Sequence, residues 1–281
     1  MQLDLEHYRS WIGHEDRASE QVTPQLVNRF NATLDLGSKY PKNGDPVAPM
    51  IHFCLAPAAA PGAELGPDGH PARGGFLPPV PLPRRMWAGG KLAFERDILV
   101  GETVERSSRI DSVEIKEGRT GTLCFMAISH ILSVGDEVVV RERQDVVYRG
   151  NPDSARPAMA AARAETGQYK RTVAATPPLL FRYSALTFNG HRIHYDQPYA
   201  TGVEGYPGLV VHGPLQATLL VHFAAALRGG QTPRKFDFRS HSPLFDNADV
   251  ELHATDGRDG RVLWTARPGG PVALKAEASL S

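Results

Sequence analysis

The feature that most constrains this chain is that it states one pattern twice. "KLAFERDILVGETVE" (residues 91–105) and "KFDFRSHSPLFDNADVE" (residues 235–251) share the order Lys, Phe, Arg and Val-Glu. Each opens a run of strand-like segments that follows an apolar helix candidate, the mark of one supersecondary unit repeated. The first run continues with "TVERSSRIDSVEI", "GTLCFMAISHILSV" and "EVVVRERQDVVYR". These are β-branched and partly alternating, with Gly101-Glu102, Glu117-Gly118 and Gly135-Asp136 as turns. The four segments predict an antiparallel meander. The second run is "KFDFRSHSPL", "ADVELHATD", "RVLWTARP" and "VALKAEASL". A sheet with one apolar face has to cover it, and the simplest way is to wrap each sheet around its own helix and join the two edge to edge. The expectation is an α+β chain with an N-terminal half over residues 1–150, a polar, Ala-rich linker over 151–176 and a C-terminal half over 177–281.

Helical patterns run from Leu3 to Ile12 and from Thr23 to Leu34, the second begun by Thr23-Pro24 as N-cap and first helical position. "APMIHFCLAPAAAP" predicts a short apolar helix in the first half and "HGPLQATLLVHFAAAL" a longer one in the second. Pro57 to Pro83 is rich in proline and glycine, a length of loop that in a compact chain is functional or flexible. Lys+Arg and Asp+Glu both number 31, and no long basic run is present, so the electrostatic footprint of a nucleic-acid binder is missing. Cys54 and Cys124 sit in apolar settings without paired spacing, which reads as buried reduced thiols. The polar N-terminus has no apolar h-region, and no stretch approaches the ~18 apolar residues of a membrane span. A cytoplasmic protein is the expectation.

The chemistry concentrates in "TFNGHRIHYDQPYA", which places Asn189, His191, His194 and Asp196 within eight residues. His194 titrates near neutrality and suits a general base or acid, although a histidine in such a loop serves equally as a structural residue. Asn189 can orient water or a carbonyl but does not exchange protons. Asp196 can pair with Arg192 or orient His194. In "EGYPGLVVHGP", Gly213 and Pro214 fit a helix start whose N–H groups favour a developing negative charge, or else a packed tight loop. Zinc needs three or four ligands. Beyond His191 and His194 only His212 or Asp196 is at hand to complete a set, with no Cys or HExxH support, so no metal is expected.

"RYSALTFNGHRIHYD" followed by "YPGLVVHGPLQATLL" resembles the catalytic half of the MaoC-like, hot-dog-fold enoyl-thioester hydratases and dehydratases. "GHPARGGFLPPVPLPRRMWAGG" is similar to the double-hot-dog branch that contains the mesaconyl-C4-CoA and itaconyl-CoA hydratases. The resemblance implies a tandem hot-dog, two antiparallel sheets each wrapped around a helix, with catalysis confined to the second half, a shorter helix in the first, and the Pro-rich loop lying over the acyl pocket. His194 falls on the family's catalytic histidine and Asn189 on its aspartate, a departure that leaves Asn189 an orienting role and Asp196 a helper's. Gly213 matches the glycine whose N–H faces the thioester oxygen. Arg84, Arg85, Trp87, Tyr183 and His212 are the expected substrate-binding residues, the arginines for a carboxylate or the CoA phosphates.

The implied reaction adds water to an enoyl-CoA, mesaconyl-C4-CoA or itaconyl-CoA going to citramalyl-CoA. The CoA thioester is the substrate and no cofactor is needed. The expected partner is acyl-CoA, with no nucleic acid and no membrane, and a homodimer is the expected assembly. The competing activities are a 3-hydroxyacyl-thioester dehydratase of fatty-acid metabolism, a hot-dog thioesterase and a non-catalytic acyl-thioester-binding protein.

Overall fold

A computed structural model describes residues 3–118, 121–150 and 161–279. Helix α1 (Leu5–Arg9) and strand β1 (Glu15–Gln21) lead to α2 (Pro24–Thr33), which Thr23 caps by accepting the Leu26 N–H at 3.2 Å. The second half begins alike. Strand β6 (Tyr169–Val173) leads to α3 (Pro177–Leu186), where Thr176 accepts the Leu179 N–H at 3.3 Å. Both helices have proline in the first turn, where its missing donor costs nothing. Each is left through a residue at positive φ, Asp35 at 54° and Phe188 at 51°. The next N–H then returns to the last helical turn, Leu36 to Asn31 O at 3.0 Å and Asn189 to Ser184 O at 2.8 Å. "TPQLVNRFNA" and "TPPLLFRYSA" are therefore the same structural word in both halves.

The remaining strands are β2 (Arg84–Phe94), β3 (Thr103–Gly118), β4 (Gly121–Val134), β5 (Glu137–Arg149), β7 (Lys235–Ser240), β8 (Val250–Asp256), β9 (Gly260–Ala266) and β10 (Val272–Ser279). They form one ten-stranded sheet in the order β1-β3-β4-β5-β2-β7-β10-β9-β8-β6. Read from either end, the order within each half is the same, and the halves join where β2 pairs β7 from Gly89↔Arg239 to Ala93↔Lys235. This is the edge-to-edge tandem hot-dog that the sequence implied.

The structure corrects three details. Of the four segments of the first run only β3, β4 and β5 form a meander, because β2 crosses to the far side of β5. Strand β1 lies in a stretch read as merely polar, its exposed and half-buried residues alternating as on an edge strand. Strand β6 and the cap of α3 occupy the last residues assigned to the linker, and linker residues 151–160 lie outside the described residues.

Helix α4 (Gln197–Gly202) is short, and α5 (Gly213–Ala226) is the centre of the second half. Every residue of α5 from Leu215 to Ala225 is buried, as a helix enclosed by a rolled sheet must be apolar all round. Its buried Gln216 is satisfied by Val211 O and Thr265 Oγ1. In the first half the corresponding chain, which Val47 N–H ties to Ile98 O as Val211 N–H ties to Leu244 O, makes a single 3₁₀ turn at Ile51–Cys54. That difference leaves the interior of the first half partly hollow. His222 of α5 bridges the halves through Pro49 O at 2.8 Å. Cys54 and Cys124 are buried free thiols, their pKa values pushed by burial up to about 12 and about 11. Among the described residues no helix is long and apolar enough to cross a membrane.

Candidate active site

The left-handed turn at Phe188 reverses the chain, and Asn189 Oδ1 accepts the His191 N–H at 3.0 Å. A 3₁₀ turn, Arg192–His194, then carries His194 inward to 7% exposure. Residues 209–211 run alongside, tied by Leu209 N–H to Asp246 Oδ1 and by Val211 N–H to Leu244 O. From this fixed segment Val210 N–H donates to Ile193 O at 2.9 Å, and Val210 O lies 2.7 Å from His194 Nδ1. A carbonyl oxygen only accepts. The proton of His194 therefore sits on Nδ1, and Nε2 presents its lone pair. Burial pushes the His194 pKa down to about 4 against the opposing Val210 bond, so the ring is a neutral acceptor at physiological pH.

His212 is stacked on His194 with ring centroids 3.7 Å apart and planes 19° from parallel. It is fully buried, and its Nε2 is 2.8 Å from Ser184 Oγ. Burial holds its pKa well below the usual value, and burial pushes that of His191 down to about 2. Three neutral imidazoles thus sit together without mutual repulsion, which is what makes the stack tolerable.

His194 lines a cavity of about 900 Å³ together with Asn189, His191, Gly213, Trp87 and Arg85. Gly213 is the first residue of α5, and its N–H has no partner among the described residues. A Cβ added there would touch Trp87 at 3.5 Å and Ser240 Oγ at 4.0 Å, ordinary contacts. Packing against the protein does not demand the glycine; close approach by a bound molecule would. The N-terminus of α5 adds its dipole at that spot.

The first half supplies the opposite wall. Arg192 N–H donates to Asp68 O at 2.9 Å and Arg192 Nη1 to Pro67 O at 3.0 Å, docking the Pro-rich loop onto the loop that carries His194. There His70 Nδ1 meets Asp68 Oδ2 at 2.9 Å, and the His70 ring lies 4.1 Å from that of His191. Burial raises the Asp68 pKa, but the bond and charge of His70 outweigh it and hold the carboxyl well below its usual range. Asp68, His70 and His191 bring three donor atoms within 4.8 Å and could hold a metal. Arg85 and Arg73 both act on His70 with positive charge, a poor setting for a cation. Arg73 pins the loop through Val80 O and Pro83 O. Arg85 lines the cavity beside Tyr148 with no carboxylate partner among the described residues.

Of the residues singled out in the sequence, His194, Asn189, Gly213, Arg84, Arg85, Trp87 and Tyr183 line the one cavity. Asp196 and His212 need a different role, and Tyr183 and Arg84 are held by protein partners. Asp196 does not reach His194: it caps α4 by accepting the Tyr199 N–H at 3.1 Å and pairs with Arg192 at 2.7 Å, while Val210 O orients His194. His212 lies beneath His194 and does not line the cavity. Tyr183 is 1% exposed with its hydroxyl on Thr218, supporting His212 from behind. Arg84 is held at the rim by Tyr206 OH and Glu204 O, both at 3.0 Å. The sequence reading missed Asp68 and His70. Their one local signal is the Asp-Gly-His spacing, which lets an aspartate bond a residue two positions on.

The model of the family "Hydroxyacyl-thioester dehydratase type 2" matches residues 50–246. Mesaconyl-C4-CoA hydratase of Chloroflexus aurantiacus is 40% identical, over 97% of this chain and 98% of that protein. Among solved structures, a MaoC-like dehydratase from Phytophthora capsici is similar with a TM-score of 0.70 at 14% identity, over 99% of both chains. A Mycobacterium tuberculosis protein described as having a double hot-dog fold is similar with a TM-score of 0.56 at 13% identity, over 95% of this chain and 96% of that one.

Proposed function

The chain belongs to the type 2 hydroxyacyl-thioester dehydratase family and is a hydro-lyase of acyl thioesters, and we propose that its substrate is a short enoyl-CoA carrying a second carboxylate. Mesaconyl-C4-CoA is the first candidate and itaconyl-CoA the second, with citramalyl-CoA as product. The observation that carries this reading is a guanidinium with no carboxylate partner among the described residues, Arg85, lining the same cavity as a neutral histidine with its Nε2 lone pair presented. A guanidinium fork binds carboxylate in two parallel hydrogen bonds.

In this mechanism, written for mesaconyl-C4-CoA, whose double bond is conjugated with the thioester, His194 Nε2 takes a proton from water as the water oxygen bonds to the β-carbon. The π electrons move to the thioester oxygen, which becomes an enolate facing Gly213 N–H and the α5 N-terminus. One such donor is typically worth ~3 kcal/mol to the transition state. The imidazolium then returns its proton to the α-carbon, and water has been added with nothing left over. No cofactor enters.

The test is to supply mesaconyl-C4-CoA, itaconyl-CoA and crotonyl-CoA and to follow both loss of the carbon–carbon double bond and release of free thiol. Enoyl loss without thiol, fastest for a dicarboxylic substrate, is expected. Thiol release would mark a thioesterase, and inertness toward all three a binding protein.

A further inference from the structure

The hollow of the first half is not lined as a hydrocarbon pocket. Side chains alternate along a strand, so the inner face of β3, β4 and β5 is set by every second residue. On it Ser108, His130 and Glu142 stand directly opposite one another across three neighbouring strands. His130 Nδ1 is 2.7 Å from Ser108 Oγ, and Glu142 Oε1 accepts from Gln144 Nε2 at 2.9 Å. His52, from the 3₁₀ turn that replaces a long helix here, brings its Nε2 to 3.6 Å from Glu142 Oε2. His52, His130, Glu142 and Gln144 all line the cavity that holds His194.

His52 and His130 are 5% and 9% exposed, yet the Nε2 of each makes no hydrogen bond. Burial works to protonate Glu142, but His52 close by holds its pKa below the usual carboxylate value. Neither water addition at His194 nor packing explains this row, because a core at this place would take aliphatic residues like the flanking Ile128 and Leu132. Buried polar groups with spare hydrogen-bonding capacity reject a ligand that cannot satisfy them.

We propose that the Ser108–His130–Glu142 row, with His52 and Gln144, is a specificity chamber for the acyl end of the substrate: it admits acyl groups whose end forms hydrogen bonds and turns away unbranched alkyl chains. The inference rests on the hydro-lyase activity but not on which short acyl group is the substrate.

The experiment compares kcat/KM for trans-2-octenoyl-CoA with that for crotonyl-CoA and mesaconyl-C4-CoA, in the wild type and in Gln144→Leu and His130→Leu. The wild type should use octenoyl-CoA at least about 100-fold less well than its best short substrate, the scale on which unpaired buried polar groups discriminate. Each leucine variant should raise the octenoyl-to-crotonyl ratio at least about tenfold by clearing one such group. A wild type that uses octenoyl-CoA as readily as crotonyl-CoA overturns the proposal without needing any variant to fold, and so does a smaller change in both variants. Preference for crotonyl-CoA over mesaconyl-C4-CoA, with octenoyl-CoA still rejected, would remove the dicarboxylate reading and leave the chamber standing.

Discussion

Gly69 and Gly190 meet backbone to backbone, and a Cβ added to either would collide with the carbonyl oxygen of the other. One belongs to the Pro-rich loop of the first half and the other to the loop of the second that carries His194, so the candidate site is assembled across the repeat. Gly69 also holds φ at 86°, a region unfavourable for a residue with a side chain. Gly69→Ala should therefore lift the loop carrying Asp68 and His70 away from His191. The expected result is a fall in kcat/KM of about 10- to 100-fold, the scale of a 1 Å misplacement of catalytic groups, with little change in melting temperature because the loop lies outside the core. Unchanged turnover would show that the loop plays no part in the reaction.

His194 and Asp196 should separate cleanly. His194→Ala removes the group that takes the proton and should lower hydration by about two or more orders of magnitude. Asp196→Asn keeps an N-cap oxygen for Tyr199 but weakens the Arg192 pair, and should leave turnover within a few-fold of the wild type. Equal damage from both, measured with crotonyl-CoA, would restore Asp196 to the catalytic machinery.

The duplication, the tandem sheet and the inner helix were legible because apolar periodicity and the Thr-Pro helix start are local signals. What escaped was whatever depends on contacts between distant segments. The role of Asp196 was misjudged because nearness in sequence suggested His194, whereas a 3₁₀ turn points the two side chains apart and gives the orienting bond to Val210, sixteen residues on. His212 looked like a ligand contact and is instead a stacked support, since its direction depends on where α5 begins. Asp68 and His70 lie more than a hundred residues before His194, and the Gly69–Gly190 contact together with the Arg192 hydrogen bonds brings them to it.

Asn189 spends its carbonyl oxygen on the His191 N–H and keeps its amide hydrogens for the cavity. Asn189→Ala should lower kcat through loss of a hydrogen bond worth ~0.5–1.5 kcal/mol net, with more lost if the His191 N–H is left unsatisfied. Asn189→Asp keeps the turn and places a titrating group in the cavity, so its kcat/KM profile should gain a limb that the wild type lacks. A profile of unchanged shape would mean that this position does not contact the reacting atoms.

The buried histidines predict an unusual acid response. His194 and His222 have folded-state pKa values lowered by burial to about 4, against an ordinary value near ~6.5. The unfolded chain binds more protons between those limits, so their contribution to stability is complete above about pH 6.5 and is lost progressively as pH falls toward about 4. Melting temperature should already drop between about pH 7 and pH 5, above the range where carboxylates titrate. The acid limb of kcat/KM, meanwhile, should lie well below ~6.5, because His194 is already deprotonated there. A limb near 6.5 together with a flat melting profile would mean that these rings are solvated.

Arg85 decides the substrate class. If its guanidinium holds the second carboxylate, Arg85→Gln should raise KM for mesaconyl-C4-CoA and lower kcat/KM by at least about 100-fold, since a charge-assisted bidentate contact contributes about 1.5–3 kcal/mol per hydrogen bond. The same substitution should barely affect crotonyl-CoA, which has no such group. Arg85→Lys keeps the charge but not the fork and should fall between the two. The comparison works because Arg85 has no carboxylate partner among the described residues, so its replacement leaves no stranded anion in the wall. An equal loss for both substrates would assign Arg85 to the part they share, the CoA phosphates, and would leave the five-carbon dicarboxylic acyl group without its recognition element.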